Sequence, residues 1–132
     1  GGGIAHLRAM KALEKVKSTN HDEQVGIDIV KHALEQPLRW LVKNAGDDDG
    51  YILNKILEQK ESDYGYNVLT GEFGSMTKFG ILDPLKVTRS GLQNAASVAM
   101  MVLTTECLVT EIPEPKVPAA PAMPGGMDYK PS

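Results

Sequence analysis

Apolar residues recur at helical spacing on both sides of one segment, Ser62–Phe79, where that spacing is lost. That segment holds three glycines among aromatic and β-branched residues, which is typical of short strands joined by a turn. We predict a β-hairpin around Leu69-Thr70-Gly71. A chain with one hairpin and helices on both sides of it is expected to fold as a mainly α protein, with a helical bundle as its body.

The first three predicted helices precede the hairpin. The first runs from Ile4 to Lys17, directly after three glycines. The second begins at an Asn20 capping box and ends at Asn44-Ala45-Gly46. Pro37 lies inside it, and we expect a kink there without an end to the helix. The third helix spans about Tyr51–Gln59.

The fourth predicted helix follows the hairpin. It begins at Asp83-Pro84, because aspartate is a good N-cap and proline is tolerated at the first helical position. It runs to about Glu106, and between Gly91 and Leu103 it carries no charged residue, so we expect it to be buried on nearly all sides. Four helices of this size are too few to cover it. The chain is therefore expected to be a fragment of a larger polypeptide, as its start at Gly1 without a Met also suggests.

Two segments follow the fourth helix. Cys107–Ile112 alternates like a short strand, with no partner strand nearby in the sequence. Six of the eight prolines lie after Ile112, so residues 113–132 are predicted to be a disordered tail rich in proline, glycine and methionine. The predicted domain covers residues 1–112.

Composition argues against several classes of function. The net charge of −3 does not favour binding to nucleic acid, whose partners are usually basic. No apolar run approaches the roughly 20 residues that a membrane span needs. Cys107 is the only cysteine, so no disulfide can form within the chain, which suits a reducing compartment. The histidine spacing does not favour a metal site, and Asp47–Gly50 lacks the glycine and glutamate positions of a calcium loop. We predict neither metal ligands nor catalytic residues.

Two features have both a structural and a functional interpretation. Gly1-Gly2-Gly3 is a flexible end or a place where a nucleotide approaches the backbone, and the residues alone favour the flexible end. Asp83 is an N-cap, an acceptor for a ligand hydroxyl, or both, since a carboxylate has two oxygens.

Several motifs are spread in order over almost the whole chain. They are Gly1-Gly2-Gly3, Glu23-Gln24-Val25-Gly26-Ile27, Pro37-Leu38-Arg39, Asn44-Ala45-Gly46, Gly65-Tyr66-Asn67, Gly80-Ile81-Leu82-Asp83-Pro84, Lys86-Val87-Thr88-Arg89-Ser90 and Leu103-Thr104-Thr105-Glu106. Together they resemble the C-terminal part of a group I chaperonin subunit, of the GroEL-type, sixty-kilodalton heat-shock family. The resemblance implies that residues 1–112 are the C-terminal half of the equatorial ATP-binding domain.

The resemblance also implies an ATP site. Gly2 matches the glycine whose backbone lies against the nucleotide, and Asp83 matches the acidic residue at the ribose. Asn67, Val68 and Leu69 match hairpin positions that line the adenine pocket, where the bacterial pattern is commonly Asn-Ala-Ala. The family's Gly-Asp-Gly-Thr-Thr phosphate loop, its catalytic aspartates and its ligands for magnesium and potassium ions have no counterpart here. The chain alone is not expected to hydrolyse ATP.

The implied partners are identical subunits in a double heptameric ring, with a co-chaperonin lid and unfolded polypeptides bound through domains outside this chain. Arg39 and Asp47–Asp49 match regions that face the opposite ring, and Leu108–Ile112 matches a strand that pairs with a neighbouring subunit. The implied location is the bacterial cytoplasm or, alternatively, the mitochondrial matrix. A second hypothesis, from a different class, is a non-enzymatic helical oligomerisation module.

Overall fold

A computed structural model describes residues 1–107, 109 and 110 of the chain. Four helices and one antiparallel hairpin follow one another, which confirms the predicted mainly helical fold. The elements are α1 (Ile4–Leu13), α2 (His21–Ala45), α3 (Asp49–Leu57), β1 (Tyr64–Asn67), β2 (Glu72–Ser75) and α4 (Leu85–Thr104). Within the described residues, no helix combines the length and the apolar character needed to cross a membrane. The predicted tail, residues 113–132, lies outside the described part.

Both ends of α2 are fixed by residues close to them in the sequence. The Asn20 side chain accepts a hydrogen bond from the Glu23 amide at 2.9 Å, as the capping box predicts. The Glu23 carboxylate in turn accepts from the Thr19 amide at 2.6 Å, and this bond lowers the pKa of Glu23. At the other end, Gly46 takes a left-handed conformation with φ of 87°, which ends the helix. α2 continues through Pro37, as predicted.

The hairpin lies where the helical spacing is lost. Tyr64 pairs with Ser75 and Asn67 with Glu72, so the two strands are in register along their full length. The turn between them closes with a hydrogen bond from the Gly71 amide to the Asn67 carbonyl at 2.9 Å. Gly71 has φ of 72°, a backbone conformation that residues with a Cβ rarely adopt.

The core lies where α1, α2, α3 and the hairpin meet. α1 packs against α2, and α3 packs against both α2 and β1. Five side chains are fully buried there: Leu7, Leu38, Val42, Ile56 and Met76. Full burial of a side chain of this size contributes about 1.5–3 kcal/mol relative to exposure. Because the core is built from the first three helices and the hairpin, these elements hold one another in fixed positions.

Polar contacts join α2 to α3 and to the hairpin. Arg39 on α2 contacts Glu35 at 3.0 Å and Asp49 at the start of α3 at 2.5 Å. The hydrogen bond from Arg39 is the main reason why the pKa of Asp49 lies below its usual value. The Tyr66 hydroxyl donates to Asp47 at 2.7 Å, and this bond raises the pKa of Tyr66. Contacts within the chain are thus made by Arg39 and Asp47–Asp49, which the resemblance expected to face another ring.

α4 buries none of its residues, so the expectation of a helix buried on nearly all sides is wrong for this chain by itself. Its apolar side chains remain largely exposed, with Leu85 at 79% and Leu103 at 84%. Only one side of its first half, around Gly91 and Ala95, faces α2 across a groove. The physical reason is the one that the sequence indicated: within the described residues, too few elements are present to cover it.

Two other predictions need correction. α1 ends at Leu13 and not at Lys17, because the chain continues in single turns in which the amides of Lys15 and Val16 bond to carbonyls three residues back, and Val16 is half exposed. The predicted strand at Cys107–Ile112 is not seen at Cys107, Val109 or Thr110, and its other residues lie outside the described part. A strand forms only when a second strand accepts and donates its backbone hydrogen bonds, and within the described part of the chain no such partner pairs with these three residues.

Asp63 anchors the hairpin and gives a prediction for the pH dependence of stability. Its carboxylate accepts hydrogen bonds from the Ser75 hydroxyl and from the Thr77 amide and hydroxyl, and the bond from Ser75 is the main cause of its lowered pKa. A lowered pKa means that the folded state favours the ionised form. The stabilisation is therefore complete above the pKa of an unfolded aspartate, about 3.9, and is lost as the pH falls through the folded value.

We expect Asp63→Asn to lower the thermal unfolding temperature near neutral pH, because asparagine cannot carry the charge that these donors stabilise. The difference from the natural sequence should shrink as the pH falls below about 3.9. Thermal unfolding followed by circular dichroism at a series of pH values measures both. A difference that stays constant down to strongly acidic pH would show that the charge of Asp63 is not what the donors stabilise.

Candidate functional site

The hairpin, the start of α1, the middle of α2 and the segment before α4 surround a cavity of about 510 Å³. We call it the ligand cavity, since pockets for small molecules measure about 300–1,000 Å³. All five residues that the resemblance assigns to an ATP site line this cavity: Gly2, Asn67, Val68, Leu69 and Asp83. The other lining residues are Gly3, His6, Pro37, Leu38, Leu41, Tyr66, Met76 and Ile81.

Two glycines open α1 at one wall of the ligand cavity. Gly2 and Gly3 have φ of 63° and 81°, in the left-handed region where a Cβ is strained. A Cβ on Gly3 would stand 2.8 Å from the Leu38 nitrogen, so the backbone of α1 lies directly against that of α2. A Cβ on Gly2 would stand 2.6 Å from the end of the Met76 side chain. These glycines let the main chain approach both the core and the cavity.

The end of the hairpin forms a second wall. Asn67 is buried, and its side-chain oxygen accepts a hydrogen bond from the Leu69 amide at 3.0 Å. This local bond fixes the backbone at Val68 and Leu69. The Asn67 oxygen is thus engaged in the turn, which leaves its amide nitrogen as the group that can donate to a ligand. Leu69 is 91% exposed and lies at the mouth of the cavity.

Asp83 lies in the segment before α4, and its predicted role as the N-cap is wrong. Pro84 holds the N-cap position, and its carbonyl accepts hydrogen bonds from the amides of Val87 at 3.0 Å and Thr88 at 3.2 Å. No side-chain hydrogen bond caps the helix. Within the described residues, no hydrogen bond or ion pair engages the Asp83 carboxylate, which therefore has its acceptor capacity available at the cavity.

The chemistry of the ligand cavity follows from these walls. Most of its lining is apolar, from residues such as Pro37, Leu38 and Ile81, and suits a flat, weakly polar ring. Asp83 can accept hydrogen bonds from hydroxyl groups. Within the part of the chain that the structure describes, no lysine or arginine lines the cavity to pair with a phosphate. Among the described residues, no three or more His, Cys, Asp and Glu side chains lie close enough together to hold a metal ion.

Four residues line the cavity that no sequence pattern placed at a binding site: His6, Leu41, Tyr66 and Met76. One signal was available for His6, which lies four residues after Gly2 and so follows it by one helical turn. Tyr66 directly precedes Asn67 on β1, but its side chain position depends on the hydrogen bond to Asp47. Leu41 and Met76 reach the cavity through packing between distant elements, for which the sequence holds no local pattern.

Comparison with known protein families identifies the chain. The model of the TCP-1/cpn60 chaperonin family matches residues 1–113, which include every described element and every residue that lines the ligand cavity. This family implies an oligomeric assembly in general terms. The match covers most of the 132 residues. The chain therefore belongs to the TCP-1/cpn60 chaperonin family.

Proposed function

We propose that this chain is the C-terminal half of the equatorial domain of a group I chaperonin subunit, and that the ligand cavity binds the nucleoside part of ATP. One observation carries the proposal. Gly2, Asn67–Leu69 and Asp83 come from three separate stretches of the sequence and were assigned from the resemblance alone, yet they line one cavity. This convergence is what a shared ligand requires, and it supports the proposed site.

The lining suits the nucleoside more than the phosphates. The apolar walls can pack on both faces of an adenine ring, and the Asp83 carboxylate can accept hydrogen bonds from ribose hydroxyls. Among the described residues, no lysine or arginine lines the cavity to pair with a triphosphate. Phosphoryl transfer needs a positioned nucleophile and groups that stabilise charge on the phosphate. In the proposed subunit those groups lie outside this chain, which binds and orients the nucleotide without hydrolysing it.

The proposed assembly is the double heptameric ring of group I chaperonins, in the bacterial cytoplasm or the mitochondrial matrix. A co-chaperonin lid and unfolded polypeptides would bind through other domains. The exposed apolar side chains of α4 support burial of this helix against further parts of such an assembly. They equally favour the second candidate function, a helical oligomerisation module without nucleotide. The two proposals differ at the ligand cavity.

Replacement of Asp83 separates these proposals. In the full-length protein, we expect Asp83→Asn to weaken ATP binding about tenfold or more, because a hydrogen bond to a charged group contributes about 1.5–3 kcal/mol. Calorimetric titration measures the affinity. Asp22→Asn is the matched control, since Asp22 is exposed on the first turn of α2 and does not line the cavity. Equal ATP affinity in both variants would favour the oligomerisation module.

A further inference from the structure

His6 lies on α1, one turn after the glycines that open this helix, and it lines the ligand cavity. It also lines the groove of about 440 Å³ between α2 and α4. Its Nδ1 atom is buried and has no hydrogen-bond partner within the described part of the chain. A polar side chain thus stands at the wall of a mostly apolar cavity, and the fold does not use that nitrogen.

The environment of Nδ1 indicates which ring nitrogen of the neutral His6 side chain carries the hydrogen. A buried N–H without an acceptor is rare in proteins, because the lost hydrogen bond to water is not replaced. The proton of the neutral imidazole therefore belongs on Nε2, with Nδ1 unprotonated. Nδ1 is buried, so the Nε2–H donor is the polar group of His6 that remains for a ligand.

Few of the other polar side chains that line the cavity can donate a hydrogen bond to a ligand. Asp83 can only accept hydrogen bonds when it is ionised. The Tyr66 hydroxyl donates to Asp47, and the Asn67 oxygen accepts from the Leu69 amide. Of the side chains that line the cavity, His6 and the Asn67 amide group thus remain as donors. A purine ring carries nitrogen atoms that accept hydrogen bonds at its edge.

We propose that His6 is a specificity-determining residue of the ligand cavity, whose Nε2–H donates a hydrogen bond to a ring nitrogen of the bound purine. This inference rests on the proposed nucleoside site and adds to it a contact that the family resemblance does not assign. The competing role is packing alone, with the ring filling the groove beside Pro37.

Three variants of the full-length protein test the proposal by calorimetric titration with ATP. His6→Leu removes the donor, and we expect ATP affinity to fall about three- to tenfold. His6→Gln keeps an N–H at a similar reach, and its affinity should stay within about twofold of the natural protein. His32→Leu is the control, since His32 is exposed on α2 and lines neither cavity. Circular dichroism verifies that each variant is folded.

Deaza analogues of ATP, each lacking one ring nitrogen, identify the acceptor. In the natural protein one analogue should bind more weakly than ATP, and in His6→Leu that analogue and ATP should bind equally. A side chain that only packs would not produce this coupling. Equal weakening in His6→Leu and His6→Gln, or no weakening in either, overturns the role of His6. If Asp83→Asn still weakens ATP binding in that case, the proposed nucleoside site stands, and if it does not, both proposals fail.

Discussion

An alanine at Gly3 is expected to destabilise the fold by about 2–5 kcal/mol. Gly3 has φ of 81°, and a residue with a Cβ in this left-handed region costs about 1–2 kcal/mol. The new Cβ would also stand 2.8 Å from the nitrogen and 3.0 Å from the Cα of Leu38. These are backbone atoms in the middle of α2, so the contact is relieved only if α1 moves away, with an overpacking cost of about 1–3 kcal/mol.

The same change at Gly26 gives the matched control and should have the opposite sign. Gly26 lies in α2, is exposed, and has nothing within 4 Å of the place where a Cβ would stand. Alanine is the better helix former there, so we expect Gly26→Ala to stabilise the protein by about 0.5–1 kcal/mol. Urea unfolding of both variants measures the difference. If Gly3→Ala unfolds at the same urea concentration as the natural sequence, α1 and α2 are not in the close contact described.

The parts of the fold that the sequence predicted well depend on residues near one another along the chain. The Asn20 cap, the end of α2 at Gly46 and the turn at Gly71 each involve groups within a few residues. In all three, a side chain or a glycine satisfies backbone groups that the helix or strand leaves open. Such contacts need only residues that are close together in the sequence, which is why they can be predicted.

The wrong predictions are of two kinds: a helix starts at a different residue from the one that the sequence favours, or the elements that a helix or strand would pack or pair with are missing from the described residues. The sequence rules favour Asp83 as the N-cap with Pro84 as the first helical residue, but in the structure the helix begins one residue later and Pro84 takes the N-cap position. α4 has the pattern of a buried helix, but the pattern does not supply the elements that bury it. The alternation at Cys107–Ile112 likewise predicts a strand without a second strand to pair with.

In the ligand cavity, too, some features were predicted from the sequence and others depend on tertiary contacts. The resemblance supplied five of its residues, but it did not indicate how they are held. Three interactions fix its walls: the Tyr66–Asp47 hydrogen bond, the donors around Asp63, and the packing of Leu38 against Gly3. The Tyr66–Asp47 bond joins residues 19 positions apart, and the donors to Asp63 lie 12 and 14 positions from it. These contacts depend on the tertiary structure, and no periodicity in the sequence encodes them.

A tryptophan at Leu41 should block the ligand cavity and leave the fold intact. Leu41 lies on α2, lines the cavity and is 42% exposed, so a larger side chain can be accommodated without entering the core. The indole would occupy space that the proposed adenine ring needs. Intrusion of this kind costs about 1–3 kcal/mol, so we expect ATP affinity to fall about ten- to a hundredfold.

Leu57→Trp is the control for this change. Leu57 is a leucine at the C-terminal end of α3, is 43% exposed, and does not line the cavity. The two variants therefore make the same substitution on a helix at nearly the same exposure, and they differ in whether the new ring meets the cavity. Thermal unfolding should show similar stability for both.

The most direct test of a nucleoside site in this cavity is a calorimetric titration of ATP into the full-length protein carrying Leu41→Trp or Leu57→Trp. We predict that Leu57→Trp binds ATP as the natural protein does, and that Leu41→Trp binds it about ten- to a hundredfold more weakly. A folded Leu41→Trp variant with undiminished ATP affinity would contradict the account, because it would place the nucleotide outside the cavity formed by Gly2, Asn67–Leu69 and Asp83.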